Sequence, residues 1–266
     1  MIRTRLWLLL LTLAPVYGLS GQAAGSSEAS DPREQALARV DSLYWAFDVA
    51  GSLAAAEALT GSDPDGAAAW RAARATVALG MADDDDDAAN AWYDRGIAHA
   101  ERAYAADSLS MDALFWLTAT RGRRALVASA GDAARLGDQV WRLAHRMLAR
   151  DPDYAAAHNV LGKLQYEVMT LSRVERFIAK LILGDNEALQ SSSWEGAERA
   201  HRRAVELMPD AVIYRYDLGR MLLRRGRLPE ALAELRVAST LPPRYPSDPK
   251  FIADARRILR ENGVDP

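Results

Sequence analysis

Four turn landmarks recur in one frame and constrain this chain more than any other feature. Three read Ser62-Asp63-Pro64-Asp65, Arg150-Asp151-Pro152-Asp153 and Leu207-Met208-Pro209-Asp210. The fourth, Ala106-Asp107-Ser108, lacks the proline. Each follows one Ala/Leu-rich amphipathic stretch and precedes another. Proline has no N–H and restrains the residue before it, so a helix cannot run through such a turn. A chain punctuated in this way is a stack of helix pairs, in which each unit packs mainly on its neighbours.

The last unit is the clearest. The tetratricopeptide pattern is W-x2-L-G-x2-Y, then A-x3-F, then P, over about 34 residues. In the copy that begins at Val212, Leu218-Gly219 supply the L-G pair and Leu222 the tyrosine position. Ala231, Leu235, Ala238 and Pro243 follow in register. Small residues at Gly219, Ala231 and Ala238 allow close helix approach, and Gly226 and Pro229 suit the turn between the helices. The copy before it opens at Ala155, has Leu161-Gly162, and closes with Ala197, His201, Ala204 and Pro209. Twelve residues separate Gly219 from Ala231, but 35 separate Gly162 from Ala197, an excess of 23. Inside that excess Leu171, Val174, Phe177, Ile178, Leu181 and Ile182 recur at helical spacing.

The expected fold is therefore all-α: a tetratricopeptide-repeat, right-handed superhelical solenoid with a helical insertion in the penultimate repeat. The expected organisation is a signal peptide at 1–23, a disordered tether at 24–32 and a solenoid at 33–266. Repeats fall at about 33–66, 67–110, 111–152, 153–209 and 210–244, with a closing helix at 248–262. The signal peptide is read from Arg3 and Arg5, the 11-residue apolar run Leu6 to Val16, and small residues before a cut at Ala23. That run is too short for a bilayer, which needs about 20 residues. The implied location is periplasmic or secreted, with no transmembrane segment after cleavage.

The segment His158-Asn159-Val160-Leu161-Gly162, then Tyr166-Glu167-Val168, Leu171-Ser172 and Glu175-Arg176, resembles the tetratricopeptide proteins called regulators of microtubule dynamics. Their expanded repeat carries a similar HxxLG, YEV, LS, ER run. Trp92 to Ala103 and Ala113 to Leu117 are similar to the earlier repeats of the same family. Animal members are linked to microtubules and organelle contact sites, and one is reported to bind and transfer phospholipid. The resemblance thus adds phospholipid to the partner classes. An exported chain meets no tubulin, so the microtubule role does not transfer.

Charge narrows the partners further. Residues 24–133 hold 9 basic and 18 acidic side chains, and residues 134–266 hold 22 and 18. With no concentrated basic excess, nucleic acid is not expected. There is no cysteine. No nucleophile elbow, phosphate-cradling glycine loop or metal-ligand spacing occurs, so no enzyme activity, cofactor or metal is expected. The run Asp83 to Asp87 lacks the spaced ligands and glycine of a calcium loop. Trp45, Trp70, Trp92, Trp116, Trp141 and Trp194 read mainly as core, with a binding box as the alternative.

The expected function is a non-catalytic scaffold holding a protein or peptide in its concave groove; the alternative is a lipid-binding or lipid-carrying solenoid. Repeat positions 2, 5, 9, 12 and 13 face that groove in this fold. They single out Asn159, Lys163, Tyr166, Tyr216, Arg220 and Arg224, an amide, cations and phenols suited to a carboxylate or phosphate. An ordinary solvated helix face is the competing reading. Phe177 and Ile178, on the insertion helix, are expected to wall the same groove or to thicken the convex side.

Overall fold

Three helix starts, one of them at the first landmark, are fixed by side-chain caps. Asp63 accepts hydrogen bonds from the Ala68 and Ala69 amides (3.0 and 2.8 Å), Asp85 from Ala88 (2.8 Å) and Ser110 from Ala113 (3.2 Å). The first N–H groups of a helix have no partner within it, so a side-chain oxygen placed there fixes where the helix starts. The aspartate run is part of this device. Asp85 caps the helix that follows, and Asp86 and Asp87 lie in its first turn, at the positive end of the helix dipole.

The computed structural model describes residues 31–172 and 186–265. Among these described residues there are twelve α-helices and no strand. They are α1 (Pro32–Trp45), α2 (Val49–Leu59), α3 (Ala67–Ala82), α4 (Asp86–Ala106), α5 (Met111–Leu126), α6 (Ala130–Arg150), α7 (Ala155–Thr170), α8 (Glu187–Ser191), α9 (Trp194–Leu207), α10 (Val212–Arg224), α11 (Leu228–Thr240) and α12 (Asp248–Glu261). Each long helix packs on its sequence neighbours, except that α7 pairs with α9 across the insertion; the short α8 lies on α6 and α7. Val174, Phe177, Ile178, Leu181 and Ile182 lie outside the described residues, as do the expected signal peptide and nearly all of the expected tether.

The repeat positions explain the pairing. Ala197, Ala204, Ala231, Leu235 and Ala238 have no exposed surface. A Cβ added to Gly162 would lie 2.8 Å from the His201 ring, and one at Gly219 would lie 2.7 Å from Leu235 Cγ. Glycine in these two inner helices therefore sets how closely the outer helices approach. Leu114, Met147, Leu218, Met221, Leu222 and Leu259 fill the layers between pairs. Burying each such side chain is worth about 1.5–3 kcal/mol.

The two ends of the solenoid also touch. The Trp45 and Tyr245 rings are 5.6 Å apart, and Lys250 Nζ donates to the Met81 carbonyl at 3.0 Å. Lys250 also pairs with Asp84 at 3.2 Å. The stretch before α12 thus closes against α1, and the first turn of α12 against α3 and the α3–α4 turn.

Candidate functional site

The first helix of each pair turns one side inward. Together α3, α5, α7 and α10, with the N-terminal half of α6, surround a cavity of about 1010 Å³. That volume lies at the upper end of the ~300–1,000 Å³ usual for ligand sites. The wall is mostly apolar. Trp45, Trp70, Phe115, Trp116, Tyr154, Tyr214 and Tyr245 supply rings, and Met81, Leu126, Leu164, Leu189 and Ile213 supply aliphatic surface. Leu171 and Asn186, on either side of 173–185, both line it.

Among the described residues three cations reach the wall: Arg74, Arg123 and Lys163. Arg74 is almost fully buried. Its guanidinium lies 3.9 Å from the Tyr44 ring centre, with the Trp70 and Trp45 rings at 5.3 and 5.5 Å. Asp41 accepts from Arg74 Nη2 at 2.7 Å and from Arg71 Nε and Nη2 at 2.9 and 2.8 Å. Burial raises the pKa of Asp41, but the hydrogen bonds and charges of Arg71 and Arg74 outweigh it, and the carboxyl stays below its ordinary value. This pair is a charge anchor under an aromatic cluster.

A second polar chain crosses from core to cavity. His201 Nδ1 donates to Asn159 Oδ1 at 3.1 Å, and Asn159 Nδ2 donates to Asp217 Oδ2 at 3.1 Å. Lys163 Nζ stands 3.5 Å from Asp217 Oδ1 and 3.4 Å from Glu167 Oε1. Burial lowers the His201 pKa to about 4, against the opposing pull of the Asp217 charge, so the ring is neutral near pH 7. Burial raises Asp217, but Lys163 and the Asn159 hydrogen bond help bring it below its ordinary value. The chain is satisfied internally, with the His201 ring neutral near pH 7. As arranged, it orders α7, α9 and α10 rather than offering an acid or base.

Of the residues singled out from the repeat positions, Asn159 and Lys163 line the cavity. Tyr166, Tyr216, Arg220 and Arg224 are not part of its wall. Tyr166 meets Trp194 at 6.1 Å. Tyr216 is buried against Phe251 (5.1 Å) and hydrogen-bonds Asp254. The closing helix α12 has taken the face that a further repeat would leave open. Arg220 and Arg224 are exposed, with Arg220 5.8 Å from the Tyr216 ring centre. The tryptophans divide. Trp45, Trp70 and Trp116 face the cavity, while Trp92, Trp141 and Trp194 pack on core clusters. His158 donates from Nε2 to the Pro152 carbonyl at 2.8 Å and so braces its own turn. Arg74, Arg123, Asp217 and the aromatic wall were not singled out in the sequence as a cavity set. Among the described residues no cluster of three or more His, Cys, Asp or Glu is arranged to hold a metal ion.

A solved structure shares the fold. A thermophilic TPR protein of Thermus thermophilus superposes with a TM-score of 0.57 at 19% identity, covering 84% of this chain and 97% of its own. A mutant of MamA gives a TM-score of 0.42 at 17% identity, covering 79% and 95%. No curated protein matches the sequence. The family model described as regulator of microtubule dynamics protein 1-3 matches residues 36–263. With most of its length accounted for by that match, the chain belongs to the regulator of microtubule dynamics family of tetratricopeptide-like proteins.

Proposed function

We propose that the protein is a non-catalytic binding scaffold that encloses one amphipathic, lipid-like ligand in the cavity of its concave face. Helical repeats of this type are interaction scaffolds, and their concave face is the usual binding surface. One observation favours an enclosed small ligand over a folded partner. The contacts of Trp45 with Tyr245 and of Lys250 with Met81 turn an open groove into a cavity with an aromatic and aliphatic wall. Such a wall excludes water and suits an apolar body, while Arg123 offers a polar anchor.

The second reading is an extended peptide segment in the same cavity. It rests on the amide and cation on α7, Asn159 and Lys163, whose N–H donors beyond those used on Asp217 and Glu167 suit a carboxylate. Native mass spectrometry of the purified chain separates the two. A bound mass that extracts into organic solvent supports the lipid-like ligand. A bound mass that sequences as peptide supports the second. Protein that carries nothing and binds neither added amphiphile nor peptide would reject both.

The same proposal includes export. Its support is the basic start, short apolar run and small-residue cut site of residues 1–23. N-terminal sequencing of the mature protein should begin near Ala24; a chain still beginning at Met1 outside the cytoplasm would contradict cleavage.

A further inference from the structure

We propose that Arg102 and His99 form a second binding site, on the outer face of the first two helix pairs, that takes a carboxylate side chain from an acidic segment of a protein partner. The site is separate from the cavity and does not depend on the reading given for it.

Its frame is a chain of side chains between α2 and α4, the outer helices of those pairs. Arg95 donates to Glu57 Oε1 from Nε at 2.9 Å and to Oε2 from Nη2. His99 Nε2 hydrogen-bonds Glu57 Oε1 at 2.8 Å, and Arg102 Nη2 hydrogen-bonds His99 Nδ1. A guanidinium can only donate, so Nδ1 accepts and Nε2 carries the proton. A cleft of about 670 Å³ opens over these groups, and Ala98 and Ala105 line it with nothing larger than a methyl.

Charge singles out Arg102. Residues 24–133 hold 18 acidic against 9 basic side chains. The neighbouring cations find carboxylates: Arg95 takes Glu57, Arg121 takes Glu101 and Arg124 takes Asp94. Arg102 is exposed, and among the described residues it makes no ion pair; its hydrogen bond goes to a neutral ring. Glu101, the other acid of the cleft, is turned to Arg121 on α5. Four N–H groups of Arg102 are left over, in a fork that matches a carboxylate at two points. The cleft is open along the two helices rather than enclosed, so it admits a side chain carried on another chain.

Occupation should be coupled to a proton. Burial is the largest influence on His99 and lowers its pKa; Glu57 pulls it up, while Arg102 and Arg95 push it down. The charged side chains of the packed helices point elsewhere. On α3, Arg71 and Arg74 are turned to Asp41. On α5, Arg121 and Arg124 are turned to Glu101 and Asp94, and Asp112 and Arg123 line the cavity. A carboxylate on Arg102 adds a negative charge on the Nδ1 side, so the occupied site holds a ring proton more readily than the empty one. Binding should therefore tighten as pH falls.

The test is calorimetric titration of the full chain with an acetylated hexaglutamate peptide and, separately, with sodium sulfate, at about pH 8 and about pH 6. It is repeated on Arg102→Gln, on His99→Gln and on Arg142→Gln, which removes one charge on α6 outside the cleft. Arg102 is exposed, so Arg102→Gln should melt as wild type does. Hexaglutamate should bind, and more tightly at the lower pH. Arg102→Gln should weaken it roughly ten- to a hundredfold, the effect of one charge-assisted contact. Arg142→Gln should leave it unchanged, and His99→Gln should remove its pH dependence. No binding of hexaglutamate, or equal binding to wild type and Arg102→Gln, would overturn the site. Sulfate that binds as tightly as hexaglutamate and is lost in Arg102→Gln would keep an oxyanion site and overturn the acidic partner. A pH dependence that persists in His99→Gln would overturn the proton coupling.

Discussion

Lys250 Nζ donates to the carbonyl of Met81 at 3.0 Å although 169 residues separate them. A solenoid ordinarily joins only neighbouring repeats, so its two ends are free to move apart. Here one cation and one aromatic pair bring the ends together, and the concave face becomes an interior.

This closure should be weak and should control access. The Lys250–Asp84 pair is exposed, and such pairs contribute about 0–1 kcal/mol. The Trp45–Tyr245 contact adds about 0.5–1.5 kcal/mol beyond burial. The double variant Lys250→Ala, Tyr245→Ala should therefore melt only a few degrees lower than wild type. Its ends should nevertheless separate more often. The chain has no cysteine, so dyes at Phe47→Cys and Arg244→Cys report the distance directly. Energy transfer should fall in the double variant and ligand release should speed up. Unchanged transfer would mean that the layers between repeats, not these contacts, hold the ring shut.

The repeat glycines should resist the substitution that usually helps a helix. Alanine in place of an interior helical glycine gains about 1 kcal/mol from propensity alone. At Gly219 the new methyl would lie 2.7 Å from Leu235 Cγ and 3.3 Å from the Ala231 carbonyl; at Gly162 it would meet the His201 ring at 2.8 Å. Overpacking of this kind costs about 1–3 kcal/mol, so Gly219→Ala and Gly162→Ala should each lower stability in urea titrations. Gly131, near the start of α6, has nothing within 4 Å of an added Cβ. Gly131→Ala should be neutral or slightly stabilising.

The helices and their pairing were legible because their causes are local. The landmark at Asp63 announces a helix start, and Gly219 with Ala231 announces a close crossing; the caps at Asp85 and Ser110 were not read from the sequence. The insertion between Gly162 and Ala197 was legible as a break in spacing, and α9 packs on α7 across it. The cavity was not legible. It depends on curvature accumulated over successive pairs and on Trp45 meeting Tyr245, two residues with no local reason to be linked. Counting repeat positions reached Asn159 and Lys163 but did not anticipate that α12 would cover Tyr216. The count assumes that another repeat follows, whereas here Phe251 and Asp254 occupy that face. In the sequence nothing separates Arg123 from its neighbours Arg121 and Arg124. Only packing distinguishes the cation that faces inward from the two that find carboxylates on α4.

Asp41 should matter more than an ordinary ion pair. It satisfies Arg71 and the nearly buried Arg74 together. Removing one partner of a buried pair leaves the other charge unpaired, at a cost of about 3–5 kcal/mol; Asp41 is partly exposed, which favours the lower end. Asp41→Ala should therefore destabilise strongly. The double variant Asp41→Ala, Arg74→Met removes the stranded charge as well and should recover part of the loss. A double variant less stable than Asp41→Ala alone would mean that the stack of Arg74 on Tyr44 outweighs the ion pair.

His201 should make stability fall on mild acidification. Its ring is buried and neutral, with a folded pKa of about 4 against an ordinary value of 6.5. The folded state thus binds its proton less readily than the unfolded chain. The stabilisation linked to this group is fully present above pH 6.5, is lost progressively as pH falls from 6.5 to 4, and changes no further below that. The whole effect is on the order of 3 kcal/mol. Urea titrations at about pH 7.5, 5.5 and 4 should show the decline. His201→Gln can still donate to Asn159 but does not titrate, so it should flatten the profile across that window even if it lowers stability at neutral pH. A decline of equal size in His201→Gln would assign the acid sensitivity to the carboxylates instead, and Asp217→Asn would then be the variant that removes it.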